Sequence, residues 1–168
     1  MSAKVTMKGN PLTLTGELPQ TGKAAPRFEV LDNDLKPASL DGLTGKVAII
    51  CSVPSLDTSV CDTETRKFNE RAASLGGDVA IWTISMDLPF AQKRWCGAAG
   101  IDAVKTFSDH RDASFGKAFG VLIPDLRLLA RAVFVLDNQG VIRYSQLVSE
   151  VTDEPDYDAA LSAAKDLL

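Results

Sequence analysis

Two short runs of mostly apolar residues constrain the fold of this chain more than any other feature. Residues 47–51 read Val-Ala-Ile-Ile-Cys, and residues 79–84 read Val-Ala-Ile-Trp-Thr-Ile. Runs of this length without polar alternation are typical of strands that are buried on both faces of a sheet. Between them, apolar residues near helical spacing comprise Val60, Phe68, Ala72 and Leu75, and Gly76-Gly77 ends the pattern. A strand, a long helix and a second strand predict a parallel βαβ unit.

The segment before this unit predicts an antiparallel hairpin over residues 4–16. Apolar and polar residues alternate on both arms, and Gly9-Asn10 supplies turn-forming residues between them. At 168 residues the chain has the length of about one domain. We therefore expect a single domain over residues 1–168, with residues 1–18 as an N-terminal hairpin.

The second half of the chain continues the alternation of helices and strands. Asp87 is expected to cap a short helix over residues 88–96 that Gly97 ends, and Asp112 to cap a helix through Phe119. The remaining predicted elements are a strand at 104–107, a hairpin of 132–136 with 141–144, and a C-terminal helix over 157–168. Together these elements predict an α/β, thioredoxin-like fold, with a central mixed sheet flanked by helices and an N-terminal β-hairpin extension.

Charge and hydropathy exclude several classes of function. The net charge is −4 and no Lys/Arg run occurs, which argues against nucleic-acid binding and against attraction to an anionic membrane. No signal-peptide pattern is visible, and the longest apolar run, residues 47–51, is too short to cross a bilayer. We therefore expect a cytoplasmic protein, in a compartment where thiols stay reduced.

The three cysteines, Cys51, Cys61 and Cys96, carry the chemical signal. They form no Cys-x-x-Cys motif and no zinc-type spacing, so neither a metal nor another cofactor is expected. The single histidine, His110, is expected to be a solvated loop residue, although a Cys/His nucleophile pair stays open.

Cys61 lies where the first buried strand gives way to the helix. Pro54 cannot continue the sheet ladder, so the strand is expected to stop there. Thr58 is a natural N-cap and would put Cys61 at the third helical position, facing the unpaired N–H groups and the positive end of the helix dipole. That setting favours the thiolate, the reactive form of cysteine. The alternative is a buried, inert cysteine under the helix.

The residues around Cys61 resemble the thiol peroxidase branch of the peroxiredoxins. Pro54-x-x-x-Thr58-x-x-Cys61 matches the active-site signature of peroxiredoxins, and the string from Val53 to Cys61 is similar to that branch. The other matching segments are the N-terminal hairpin, Arg66-Lys-Phe-Asn69, Phe90-Ala-Gln-Lys-Arg-Trp-Cys-Gly97 and Arg131-Ala-Val-Phe-Val-Leu-Asp137.

The resemblance implies a role for each matching residue. Cys61 matches the cysteine that attacks the peroxide, and Cys96 matches the resolving cysteine of the atypical two-cysteine class, which forms its disulfide within one chain. Thr58 matches the residue whose hydroxyl bonds the thiolate and orients the peroxide. Pro54 matches the residue that shields the sulfur from water, and Arg131 the arginine that supports the thiolate and the polarised O–O bond.

Some assignments stay open on the residues alone. Arg131 by itself reads as a solvated charge at a strand end, and Arg127 is the alternative site arginine. Cys51 is expected to be a core residue, with a second redox partner for Cys61 as the alternative. The resemblance implies hydroperoxide substrates, thioredoxin as the reductant and a homodimer. The competing functions are a peroxide-sensing redox switch that passes oxidation to a partner protein, and a thioredoxin-fold binding module with silent cysteines.

Overall fold

A computed structural model describes residues 3–168, and its centre is a seven-stranded sheet. The strands along the chain are β1 (Lys4–Met7), β2 (Asn10–Thr13), β3 (Glu29–Leu31), β4 (Pro37–Ser39), β5 (Val47–Ser52), β6 (Val79–Ser85), β7 (Val104–Ser108), β8 (Leu122–Ile123), β9 (Leu128–Leu129), β10 (Ala132–Leu136) and β11 (Ile142–Leu147). The α-helices are α1 (Ser59–Ala72), α2 (Pro89–Ala99), α3 (Ser114–Ala118) and α4 (Tyr157–Lys165), and short 3-10 helices cover Leu40–Leu43 and Ala73–Leu75.

The large sheet is mixed. Its strand order is β11-β10-β5-β6-β7-β3-β4, with β5, β6 and β7 parallel to one another and the flanking pairs antiparallel. The predicted βαβ unit is confirmed as β5–α1–β6, and the hairpin in the second half is confirmed as β10–β11. The thioredoxin-like layout is therefore present, with helices against a central mixed sheet.

Both faces of the central strands are buried, as their apolar runs predict. Along β5, Ala48 and Ile50 join the core layer that contains Phe115 of α3 and Phe119 directly after that helix. The alternate residues of β5 pack with α1 and α4 on the opposite face. Because side chains alternate across a strand, a strand covered on both sides needs an apolar residue at every position.

The N-terminal hairpin is confirmed, but its turn lies one residue earlier than the sequence predicts. Met7 pairs with Asn10, so Lys8 and Gly9 form the two-residue turn, with φ values of 51° and 81°. Two central residues with positive φ suit the right-handed twist of a hairpin. Asn10 is instead the first residue of β2. Thr6 joins the hairpin to the C-terminal region, because its N–H donates to Ser149 O at 2.8 Å.

Two predicted helix caps are wrong. Asp87 does not cap α2, which begins at Pro89 after Leu88 and continues past Gly97 to a left-handed Gly100. Because proline has no N–H, one fewer backbone donor at the start of α2 needs a side-chain cap. Asp112 does not cap α3 either; Asp109 accepts hydrogen bonds from Phe115 N at 3.0 Å and Gly116 N at 2.8 Å.

The sequence does not predict four short strands. β3, β4, β8 and β9 are two or three residues long, too short for an alternating pattern to be recognised. No helix within residues 3–168 combines the length and apolarity needed to cross a bilayer.

Candidate active site

Cys61 is held in the first turn of α1, as its position in the sequence predicts. β5 ends at Ser52, a short loop follows, and the Cys61 N–H donates to Thr58 Oγ1 at 3.3 Å, the bond of an N-cap to the third helical residue. The Cys61 side chain is fully buried and packs with Val53, Leu56 and the half-buried Trp95. A reactive sulfur in such a place lies beside the unpaired N–H groups of the helix start.

The hydroxyl of Thr58 has a partner other than the sulfur in this structure. Thr58 Oγ1 donates its single proton to Ser55 O at 3.1 Å and accepts from Cys61 N. Pro54 lies buried in the same loop, just after the end of β5. Thr58 is thus in contact with Cys61, and its hydroxyl joins the loop to the helix start, while Pro54 lies in the same loop.

Arg131 is the residue that contacts the Cys61 sulfur. Its Nη2 donates to Cys61 Sγ at 3.2 Å, its Nη1 to Glu64 Oε2 at 2.5 Å, and its Nε to Val151 O at 3.0 Å. The whole side chain is 1% exposed, so it is not the solvated strand-end charge that its position suggests. Arg127 is exposed, on the turn between β8 and β9. The structure thus brings Arg131, rather than Arg127, to Cys61.

The electrostatics of this arginine follow from its buried partners. Burial opposes ionisation of Arg131, but its attraction to Glu64 and Cys61 and its hydrogen bonds to both outweigh burial and raise the pKa of the guanidinium. An arginine that stays protonated provides a permanent positive charge beside the sulfur.

Glu64 is a site residue that sequence reasoning missed. Its side chain is 1% exposed, and its Oε1 has no hydrogen-bond partner among the described residues. Burial raises the pKa of Glu64 to about 7, against the opposing attraction of Arg131. A signal was available, since Glu64 lies three positions after Cys61 and therefore on the same face of α1.

Asp87 anchors the loop that precedes Cys61. Its carboxylate accepts from Ser55 Oγ at 2.6 Å, from Leu56 N at 2.8 Å and from Ser85 Oγ at 2.7 Å. The loop between β5 and α1 is thereby fixed to the segment that leads from β6 into α2. This role explains why Asp87 does not cap α2, although its place before a helix resembles that of a capping residue.

Cys96 lies on α2, with its sulfur against β7. Its half-buried sulfur is 3.3 Å from Thr106 Oγ1 on β7, whereas the sulfur of Cys61 takes its hydrogen bond from Arg131. The cysteines Cys51, Cys61 and Cys96 are all unpaired. The structure places Thr58 and Arg131 in contact with Cys61, keeps Pro54 in the adjoining loop, and leaves Cys96 on a neighbouring helix.

Cys51 is a core residue, as expected. It is fully buried on β5 and packs in the core layer between the sheet and helices α1 and α4. Burial, with a smaller effect of the charge on Glu64, raises the pKa of the Cys51 thiol well above its usual value. Cys51 is therefore held in its protonated, unreactive form.

Comparisons with known proteins agree with this geometry. The Redoxin family matches residues 20–161. A thiol peroxidase from Halalkalibacterium halodurans is 58% identical over 97% of this chain and 98% of its own length, and one from Bacillus subtilis is 58% identical over 99% of each. A crystal structure of a peroxiredoxin-like protein from Aquifex aeolicus superposes with a TM-score of 0.92 at 44% identity, covering 100% of this chain and 99% of that one.

The site consists of a cysteine at the start of a helix that is hydrogen-bonded to a buried arginine, within a thioredoxin-like fold. This combination defines a class of thiol-based redox proteins. Within that class, the chain belongs to the Redoxin family, in its thiol peroxidase group.

Proposed function

We propose that the chain is a thiol-dependent peroxidase that reduces hydrogen peroxide and organic hydroperoxides, with Cys61 as the nucleophile. The observation that carries this proposal is the 3.2 Å hydrogen bond from Arg131 to Cys61 Sγ at the first turn of α1. A guanidinium in contact with a sulfur at the first turn of a helix favours the thiolate.

The first step oxidises Cys61 and reduces the peroxide. The thiolate attacks one peroxide oxygen, the O–O bond breaks, and the departing oxygen takes a proton to leave as water or an alcohol, which gives a sulfenic acid on Cys61. Negative charge develops on the departing oxygen. Arg131 is placed to stabilise that charge, because its guanidinium already contacts the sulfur that the peroxide must reach.

Thr58 and Pro54 are proposed to position and protect the reacting sulfur. Thr58 caps the helix that presents Cys61, and its hydroxyl would turn from Ser55 O to the peroxide when substrate binds. The buried Pro54 occupies the loop beside the sulfur and restricts the access of water. Both roles keep the thiolate ready for peroxide rather than for bulk solvent.

In the second step, the Cys96 thiol condenses with the sulfenic acid. The new S–S bond forms as the sulfenic hydroxyl leaves as water, with the proton of the Cys96 thiol. Because Cys96 Sγ is bonded to Thr106, the end of α2 must move to bring the two sulfurs together. The product is a disulfide within one chain, as in the atypical two-cysteine mechanism.

The cycle then needs an external dithiol. We propose thioredoxin, which exchanges its own dithiol for the Cys61–Cys96 disulfide. We also propose a cytoplasmic location, because a cycle that regenerates free thiols at Cys61 and Cys96 suits a compartment that keeps thiols reduced. A homodimer is proposed as well, supported by Leu88 and Phe90, which are 51% and 66% exposed at the start of α2.

A coupled assay with thioredoxin, its reductase and NADPH tests this function. Cys61→Ser should abolish peroxide-dependent NADPH oxidation, because a serine hydroxyl is not ionised near neutral pH. Cys96→Ser should allow a single turnover that stops at the sulfenic acid, while Cys51→Ser is the matched control and should sustain turnover. Appreciable turnover by folded Cys61→Ser would exclude Cys61 as the nucleophile.

A further inference from the structure

The resolving cysteine takes part in a short chain of hydrogen bonds on the face of β7. Cys96 Sγ lies 3.3 Å from Thr106 Oγ1, and Thr106 Oγ1 donates to Asn33 Oδ1 at 3.1 Å. Thr106 is 3% exposed, and Asn33 lies half-buried in the turn between β3 and β4. These two contacts thus link Cys96 on α2, Thr106 on β7 and Asn33 in the β3–β4 turn, which are far apart in the sequence.

The direction of these bonds is set by the number of protons available. A threonine hydroxyl has one proton, and Thr106 gives it to the amide oxygen of Asn33. The contact between Thr106 and Cys96 therefore requires a proton from the sulfur, so Cys96 must be the donor. A thiolate at Cys96 would have no proton to give and would face an acceptor oxygen.

The surroundings of the sulfur act in the same direction. Burial is the larger influence on Cys96 and raises the pKa of its thiol, whereas a hydrogen bond donated by Thr106 would lower that pKa. Because the single proton of the Thr106 hydroxyl goes to Asn33, Thr106 does not donate such a bond here. The cavity of about 330 Å³ beside the sulfur carries charges of both signs, because Lys105 lines it as well as Asp32, Asp34 and Asp102. Burial, rather than these mixed charges, therefore favours the protonated thiol.

We propose that Thr106 and Asn33 form a tether that holds the Cys96 thiol protonated against β7 and thereby slows its reaction with oxidised Cys61. The inference rests on the proposed function, in which Cys96 resolves the Cys61 sulfenic acid. Thr106 and Asn33 are positioning residues, because they act through Cys96. The tether sets the lifetime of the sulfenic acid, and with it the fraction that a second peroxide oxidises to sulfinic acid.

Thr106→Val tests the tether, since valine keeps the shape of threonine and removes the acceptor. Reduced protein is mixed with hydrogen peroxide, and the fluorescence of Trp95, the neighbour of Cys96, is followed in a stopped-flow instrument. The first phase, which depends on peroxide concentration, reports the sulfenic acid, and the second, which does not, reports the disulfide.

The expected result separates the two phases. In Thr106→Val the first phase keeps its wild-type rate, and the second becomes about two- to tenfold faster, the effect of one ordinary hydrogen bond. Mass spectrometry at excess peroxide should find less sulfinic acid on Cys61. Thr106→Ser, which keeps the hydroxyl, should behave as wild type in both respects.

Two results would overturn the inference in distinguishable ways. A second phase that is unchanged or slower in Thr106→Val, with a wild-type first phase, excludes the tether and leaves the proposed function intact. A wild-type protein that forms no Cys61–Cys96 disulfide excludes both.

Asn33→Ala provides an independent test that does not alter the buried strand. Without Asn33 Oδ1, the Thr106 hydroxyl is free to donate to the sulfur, which favours the thiolate at Cys96. Alkylation of Cys96 by iodoacetamide, located by peptide mapping and measured from pH 6 to 9, should become faster and begin at lower pH. A wild-type alkylation profile in Asn33→Ala would contradict the assigned bond direction.

Discussion

The indole Nε1 of Trp95 donates a hydrogen bond to Asp62 Oδ1 at 3.0 Å, so the residue before Cys96 is bound to the residue after Cys61. Arg66 supports this pair, because its Nε donates to Asp62 Oδ2 at 2.9 Å and its guanidinium lies 5.7 Å from the centre of the Trp95 ring. These contacts hold α2 against the first turn of α1. Any movement of Cys96 toward Cys61 has to break them.

Removing the carboxylate that joins the two helices should loosen α2 before any oxidation occurs. Asp62→Ala removes the acceptor of the Trp95 bond, so we expect faster amide exchange over residues 90–99 in the reduced protein. One lost hydrogen bond corresponds to about 0.5–1.5 kcal/mol of local opening free energy. Asp158→Ala is the matched control, since it removes the ion pair between Arg71 and Asp158 at the far end of α1. Equal exchange over residues 90–99 in both variants would contradict the role of Asp62.

Oxidation with one equivalent of peroxide should link Cys61 to Cys96 and unwind both helix ends. In the reduced protein Cys61 Sγ contacts Arg131 and Cys96 Sγ contacts Thr106. A disulfide places the Cα atoms of its two cysteines within about 7 Å, so both sulfurs must leave these partners to form it. Amide exchange should therefore rise over residues 58–64 and 90–99. Peptide mapping identifies the bond, and a bridge that contains Cys51 or joins two chains would refute the intramolecular mechanism.

Arg131→Lys should slow the peroxide step although it keeps the positive charge. The guanidinium contacts Cys61, Glu64 and Val151 simultaneously, which the single ammonium of lysine cannot do. The loss of one such charge-stabilising donor lowers a rate by about 100-fold. The rate constant of the first fluorescence phase measures this step. Arg127→Lys, on an exposed turn, should match wild type, and equal loss in both variants would remove Arg131 from the site.

Glu64 should make the stability of the reduced protein fall as the pH rises. The pKa of Glu64 is raised in the folded state from 4.5 to about 7, first by burial. Its contribution is therefore complete below pH 4.5 and is lost as the pH rises through about 7, with a slope of at most about 1.4 kcal/mol per pH unit. Urea unfolding of wild type and Glu64→Gln from pH 4.5 to 8 measures the difference. Parallel curves would show that Glu64 does not titrate in this range.

The fold could be predicted largely from the sequence because its central strands are buried on both faces. The apolar runs at residues 47–51 and 79–84 favour strands that are buried on both faces of a sheet, and the helix between them has one apolar face. Short strands such as β8 and β9 carry no periodic signal. Their positions follow from tertiary contacts, which the sequence does not display.

The candidate site was predictable where the signal is local and not where it depends on tertiary packing. The cap by Thr58 and the helical position of Cys61 are local features, because the residues that determine them lie within four positions of one another in the sequence. The burial of Arg131 depends on contacts with residues 20 to 70 positions away. The place of Asp87 before a helix predicts a cap, but its carboxylate instead binds Ser55 and Leu56 of another loop and Ser85 at the end of β6.

Cys51 provides an internal reporter of how often the core opens. Its sulfur is buried in the layer between the sheet and helices α1 and α4, so a thiol reagent reaches it only when that layer opens. The labelling rate of Cys51 in native protein therefore measures the frequency of such openings, independently of the chemistry at Cys61 and Cys96. A comparison of that rate in reduced and oxidised protein would measure how strongly one turn of the redox cycle loosens the core on this face of the sheet.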